Sequence, residues 1–152
     1  MTTKPKSKTA KKKILIVDDD LQVLEIFSAL LREVGYEVES AENALAAVAA
    51  IVQAAPDMIL ADIRMPIVGG MDLVRELKSH IDSRPIPVVA FTGYDSPEMR
   101  EMALKVGYDD YLPKPVDPGL FLDQVEELMH RLKRAPGRMK KTKARPRRRS
   151  AV

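Results

Sequence analysis

The chain has 152 residues, no cysteine and no tryptophan, with 25 basic and 22 acidic side chains. That length suits one domain with a sizeable core, and the missing cysteine excludes a disulfide framework, a thiolate metal site and a cysteine nucleophile. The net charge of +3 conceals a strong asymmetry: all 22 acids lie between Asp18 and Glu127, whereas 6 bases precede Ile14 and 11 follow His130. The middle therefore carries 8 bases against 22 acids, a charge of −14 between flanks of +6 and +11. No apolar run approaches a secretory or membrane-spanning length, so a soluble cytoplasmic protein without membrane insertion is expected.

Residues 1–13 carry Lys4, Lys6, Lys8, Lys11, Lys12 and Lys13 with no apolar anchor, the composition of a disordered basic arm. Ile14-Leu15-Ile16-Val17 then reads as a strand buried on both faces, halted by Asp18-Asp19-Asp20. Val23, Leu24, Ile26, Phe27, Leu30, Leu31 and Val34 recur at helical spacing, with Asp20 as N-cap and Gly35 just past the end. Tyr36 to Ala41 alternates like an edge strand, and Asn43 caps an alanine-rich helix that stops before Pro56.

The third strand runs from Met58 into the lone carboxylate Asp62, and Pro66 forbids its continuation. Gly69-Gly70 lies in a loop, and Met71, Leu73, Val74 and Leu77 make the next helix. Val88 to Thr92 is a fourth buried strand. Ser96-Pro97-Glu98 is a cap, an N1 proline and a first-turn acid, opening a helix that ends at Gly107. Tyr111-Leu112 is a short fifth strand, and a last helix spans Val116 to Leu132. The domain is expected over 14–133, with a disordered basic tail over 134–152.

Strands alternating with helices predict a parallel sheet covered on both faces. The flavodoxin-like strand order 2-1-3-4-5 places the first and third strands side by side, so that their C-terminal ends meet at the switch point. Asp18, Asp19 and Asp20 follow the first strand, Asp62 the third, Thr92 the fourth and Lys114 the fifth. Clustered carboxylates without histidine or cysteine favour a hard cation such as Mg²⁺. A metal, an ammonium and a hydroxyl around one carboxylate suit phosphoryl transfer, with Asp62 as acceptor nucleophile. Three acids after the first strand would repel a nucleotide phosphate there, against a flavodoxin-like cofactor binder. Histidines His80 and His130 have no partner motif, and the methionines read as core filler.

Four segments, in this order and at these separations, resemble the receiver domain of two-component response regulators. They are Ile16-Val17-Asp18-Asp19, then Asp62-Ile63-Arg64-Met65-Pro66 with Gly70 eight beyond, Phe91-Thr92-Gly93, and Tyr111-Leu112-Pro113-Lys114-Pro115. The resemblance implies that Asp62 is phosphorylated by a histidine kinase or phosphotransfer protein. It implies Mg²⁺ held by Asp19, Asp62 and the backbone carbonyl of Arg64, with Asp18 acting through water. Lys114 resembles the lysine that pairs with the phosphoryl group, Thr92 the switch hydroxyl and Tyr111 the gate aromatic. Gly93 resembles the small residue that leaves room for the phosphoryl group, and a cis Lys114–Pro115 peptide is implied. Arg64 stands where side chains affect the lifetime of the acyl phosphate.

In such a domain the output protein docks on the fourth helix, fifth strand and fifth helix, here Ser96 to Val106 and Tyr108 to Leu132. Asp109, Asp110 and Arg131 are candidates for ion pairs across a dimer, and a monomer or weak homodimer is expected. The 20 residues after Leu132 leave no room for an output domain, so a stand-alone receiver is the expectation. It would be a phosphoacceptor with self-catalysed phosphorylation and dephosphorylation, and not an enzyme. An alternative is a receiver-regulated nucleic-acid binder, in which the basic tails bind weakly through counterion release. The tails lack aromatics for base stacking, and a plain solubilising charge run is the bland reading.

Overall fold

A computed structural model describes residues 11–65, 69–93, 95–114 and 117–132 of the chain. Pro66, Val116, the cis peptide expected at Lys114–Pro115, and the basic flanks 1–10 and 133–152 lie outside the described residues. Five strands and five helices alternate: β1 (Lys13–Val17), α1 (Leu21–Glu33), β2 (Glu37–Ala41), α2 (Ala44–Gln53), β3 (Met58–Ala61), α3 (Gly70–Ser79), β4 (Val88–Thr92), α4 (Pro97–Val106), β5 (Asp110–Pro113) and α5 (Pro118–Leu132). The strands form one parallel sheet in the order β2-β1-β3-β4-β5, the flavodoxin-like arrangement expected. β1 begins at Lys13, one residue earlier than its apolar run, because Glu37 pairs beside it and the Asp57 carboxylate accepts its N–H at 2.7 Å.

The period-2 rule sorts each central strand between two cores. Ile14 and Ile16 of β1, Met58 and Leu60 of β3, and Val89 and Phe91 of β4 face α1 and α5. Leu15, Val17, Ile59, Ala61, Val88 and Ala90 face α2, α3 and α4. On the first face Phe27, Phe91 and Phe121 meet with ring centroids 4.7–5.4 Å apart, within the range of favourable aromatic pairs. Methionines mostly fill the core, but Met102 is half exposed on α4.

The helix ends follow the expected chemistry. Asp20 Oδ1 accepts from the N–H groups of Gln22 (3.0 Å) and Val23 (3.4 Å), Asn43 Oδ1 from Ala46 (2.8 Å), and Ser96 Oγ from Met99 (3.1 Å). Gly35 and Gly107 end α1 and α4 at φ of +106° and +131°, backbone that a side chain would strain. Pro113 sits in β5, an edge strand, where a missing donor is tolerated.

Parallel register fixes where the strands end together. Val17 pairs with Ala61, Ala61 with Ala90 and Ala90 with Tyr111. The residues that follow these strands therefore gather at one edge of the sheet.

Candidate functional site

Asp62 leaves β3 with its N–H donated to the Val17 carbonyl at 3.0 Å, which continues the β1–β3 ladder by one bond. Asp62 is 8 % exposed and lines an open cleft of about 430 Å³. Asp18, Asp19, Asp20, Arg64, Met65 and Lys114 complete the lining. Asp18 follows β1 and is almost wholly buried, whereas Asp19 is exposed.

The Lys114 ammonium enters from the end of β5. Its Nζ lies 2.6 Å from Asp18 Oδ2 and 3.7 Å from Asp62 Oδ2, and 5.4 Å from the Phe91 ring centroid. The lysine backbone is anchored by its N–H donating to the Thr92 carbonyl at 2.7 Å. Burial pushes the Asp18 carboxyl above its ordinary pKa, with the Asp62 charge adding to that; the Lys114 ammonium and the Asp20 N–H pull the other way. An acid whose ionised form is this poorly solvated gains from any further cation beside it.

One carboxylate oxygen from each of Asp18, Asp19 and Asp62 lies within 4.8 Å of the others. Three hard oxygen donors, one open to water, fit Mg²⁺, which keeps several waters and takes few carboxylates. Asp20 does not join this set, because its side chain is committed to capping α1. Asp18, Asp19, Asp62 and Lys114 are thus brought together, with the ammonium nearer to Asp18 than to Asp62.

Thr92 is fully buried at the end of β4, and Tyr111 is buried on β5 with the Arg100 guanidinium 5.0 Å from its ring centroid. Among the described residues, a Cβ added to Gly93 would meet only the Lys114 carbonyl oxygen, at 4.0 Å. The Arg64 N–H stands 3.4 Å from Asp62 Oδ1. Within the chain, Asp110 pairs with Arg131 (2.6 Å) and Asp109 with Lys78 (3.0 Å).

Two residues close the back of the site. The Tyr108 hydroxyl, buried, donates to the Asp62 carbonyl oxygen at 3.3 Å. Gly70 packs so tightly that a Cβ there would overlap that same oxygen and stand 2.5 Å from the Tyr108 hydroxyl. Spacing from Asp62 marks Gly70 in the sequence, but nothing there marks Tyr108 beyond its place after the helix-ending Gly107.

The family model of the response regulator receiver domain matches residues 14–126. The chain belongs to this family, whose members accept a phosphoryl group in two-component signalling and bind Mg²⁺ at an acidic pocket. The phosphate regulon transcriptional regulatory protein PhoB of Pseudomonas aeruginosa is 38% identical over 120 residues, covering 79% of this chain and 52% of that protein. The transcriptional regulatory protein ZraR of Klebsiella oxytoca is 42% identical over 125 residues, covering 81% of this chain and 28% of its own length. The chain thus spans about half or less of these two relatives. Among solved structures, a CheY-like receiver domain protein from Methanospirillum hungatei aligns with a TM-score of 0.74 at 32% identity, over 82% of this chain and 98% of that one. The chemotaxis protein CheY4 of Vibrio cholerae aligns with the same score at 30% identity, over 78% and 98% of the two chains. No helix among the described residues is long and apolar enough to cross a membrane.

Proposed function

We propose that Asp62 is the phosphoacceptor of this receiver and that its donor is a phosphohistidine on a histidine kinase or phosphotransfer protein. The observation that carries this reading is the position of the Asp62 carboxylate, in an open cleft 3.7 Å from an ammonium and grouped with two further carboxylates. An Asp62 oxygen forms the new O–P bond as the P–N bond of the donor breaks, and the electron pair leaves with the imidazole nitrogen. Lys114, already in the cleft, turns from Asp18 to the incoming phosphoryl oxygens and offsets their charge.

Asp19, Asp62 and the Arg64 backbone carbonyl would hold Mg²⁺, with Asp18 acting through water. When bound, the ion screens the carboxylates from the phosphoryl group and neutralises charge in the transition state. Thr92 and Tyr111 form the switch: the threonine hydroxyl moves towards the phosphoryl group and the tyrosine follows. The face of α4, β5 and α5 then meets the output protein, with the chain a monomer or weak homodimer. The receiver unit is assigned to 14–133, between basic segments 1–13 and 134–152. It is a phosphoacceptor rather than an enzyme with a separate substrate.

A small-molecule phosphodonor with Mg²⁺ should add one acid-stable, base-labile phosphate to the wild type and none to Asp62→Asn. An unchanged wild-type mass with several donors would sink the assignment. The charge of +11 after His130 favours a second reading, in which this segment binds nucleic acid under receiver control. Binding should then weaken steeply with salt and vanish on removal of residues 134–152. Binding that survives the truncation rejects the tail as the site.

A further inference from the structure

We propose that Tyr108 is a positioning residue for phosphoryl transfer, holding the backbone of Asp62 through the hydrogen bond from its hydroxyl to the Asp62 carbonyl oxygen. The inference rests on the assignment of Asp62 as phosphoacceptor. A buried tyrosine hydroxyl needs an acceptor, and this one is 2 % exposed with its oxygen 3.3 Å from that carbonyl. Burial also pushes the phenol well above its ordinary pKa, so the hydroxyl remains a donor throughout the neutral range.

What separates this contact from ordinary core satisfaction is the atom it reaches. Asp62 is tied on one side by its N–H to the Val17 carbonyl at 3.0 Å. On the other side its carbonyl lies against Gly70 and the Tyr108 hydroxyl. The next peptide is tied as well, because the Ile63 carbonyl accepts from the Gly70 N–H at 2.9 Å. With both peptide planes fixed, the Cα–Cβ vector of Asp62 is fixed, and so is the base from which its rotamers place the carboxylate. The Arg64 N–H, 3.4 Å from Asp62 Oδ1, belongs to the same turn. Tyr108 reaches this turn from the α4–β5 connection, so the bond also joins the acceptor to the segment that carries Tyr111 and Lys114.

Tyr108→Phe keeps the ring in the core and removes only the donor. The full chain is incubated with acetyl phosphate and Mg²⁺, and phosphorylation is followed against donor concentration, with Tm measured in parallel. The maximal rate should fall roughly five- to tenfold, the scale of one lost hydrogen bond spent on positioning, with the half-saturating donor concentration unchanged. Ile51→Val, a buried trim in the same core layer on α2, which contributes no residue to the cleft lining, should lower Tm while leaving the rate intact. Wild-type kinetics in Tyr108→Phe overturn the inference, as does an equal slowing in Ile51→Val. If the wild type takes no phosphate at Asp62, the underlying assignment and the inference fall together, an outcome distinct from a labelled wild type with an indifferent Tyr108→Phe.

Discussion

Gly70→Ala is a perturbation whose cost is set by the backbone of the phosphoacceptor itself. The added Cβ would overlap the Asp62 carbonyl oxygen and lie 2.9 Å from its carbonyl carbon, with the Tyr108 hydroxyl at 2.5 Å. Neither backbone atom is the end of a flexible side chain that can swing aside. Restoring van der Waals separation requires α3 and the Asp62 turn to part by roughly 1 Å, an overpacking that costs about 3 kcal/mol. For a domain of this size that is a fall in Tm on the order of 10–15 °C. The same displacement moves the acceptor carboxylate relative to Lys114, and a misplacement of about 1 Å can cost on the order of 100-fold in rate. Thermal unfolding and phosphodonor labelling, on one preparation, measure both effects. A variant with wild-type Tm and wild-type labelling would refute the close packing of Gly70 on Asp62.

Three further outcomes follow from particular contacts. Asp18 is raised by burial, so between its ordinary value of 3.8 and its higher folded value the native state binds more protons than the unfolded chain. Its ionisation therefore costs stability as pH rises through that window, and Asp18→Asn should raise Tm at pH 7 without Mg²⁺, with the gain vanishing below pH 3.8. An equal gain at both pH values would contradict the burial argument. Lys78→Met removes bonds from its ammonium to the carbonyls of Arg84 (3.1 Å) and Ile86 (2.9 Å) and to Asp109 (3.0 Å). Urea unfolding should show a loss of about 1–3 kcal/mol, much of it from acceptors left without their donor. Ser96→Ala removes the α4 cap and should cost about 1 kcal/mol in the same assay, an effect that Ser96→Asp should largely avoid.

The fold was legible because its signals are local and agree with one another. Continuous apolar runs at 14–17, 58–61 and 88–91, short and bounded at one or both ends by acids or prolines, read as strands covered on both sides, and the caps Asp20, Asn43 and Ser96 mark helix starts by their own hydrogen bonds. Parallel register then carries Asp18, Asp62 and Lys114 to one edge without further information. Of the three aspartates, Asp20 was legible as the helix cap, but which carboxylate rests against Lys114 was not, since the chemistry of the acids is identical. Burial distinguishes Asp18, whose carboxylate lies 2.6 Å from the Lys114 ammonium. Tyr108 was missed for a related reason: where a tyrosine hydroxyl ends depends on the packing of α3 and α4 around its ring, which no sequence pattern encodes. The intrachain partners of Asp110 and Asp109 were not legible either, because they come from elements distant in sequence. The approach of α5 and the end of α3 supplies Arg131 and Lys78.

The central claim is that the phosphoryl group is carried by the Asp62 carboxylate. An acyl phosphate is reduced by borohydride to the alcohol, so trapping after phosphodonor treatment should convert one aspartate to homoserine. Peptide mass spectrometry is expected to find that conversion at Asp62, dependent on Mg²⁺ and absent without donor. Homoserine at Asp18 or Asp19 with Asp62 intact would contradict the account.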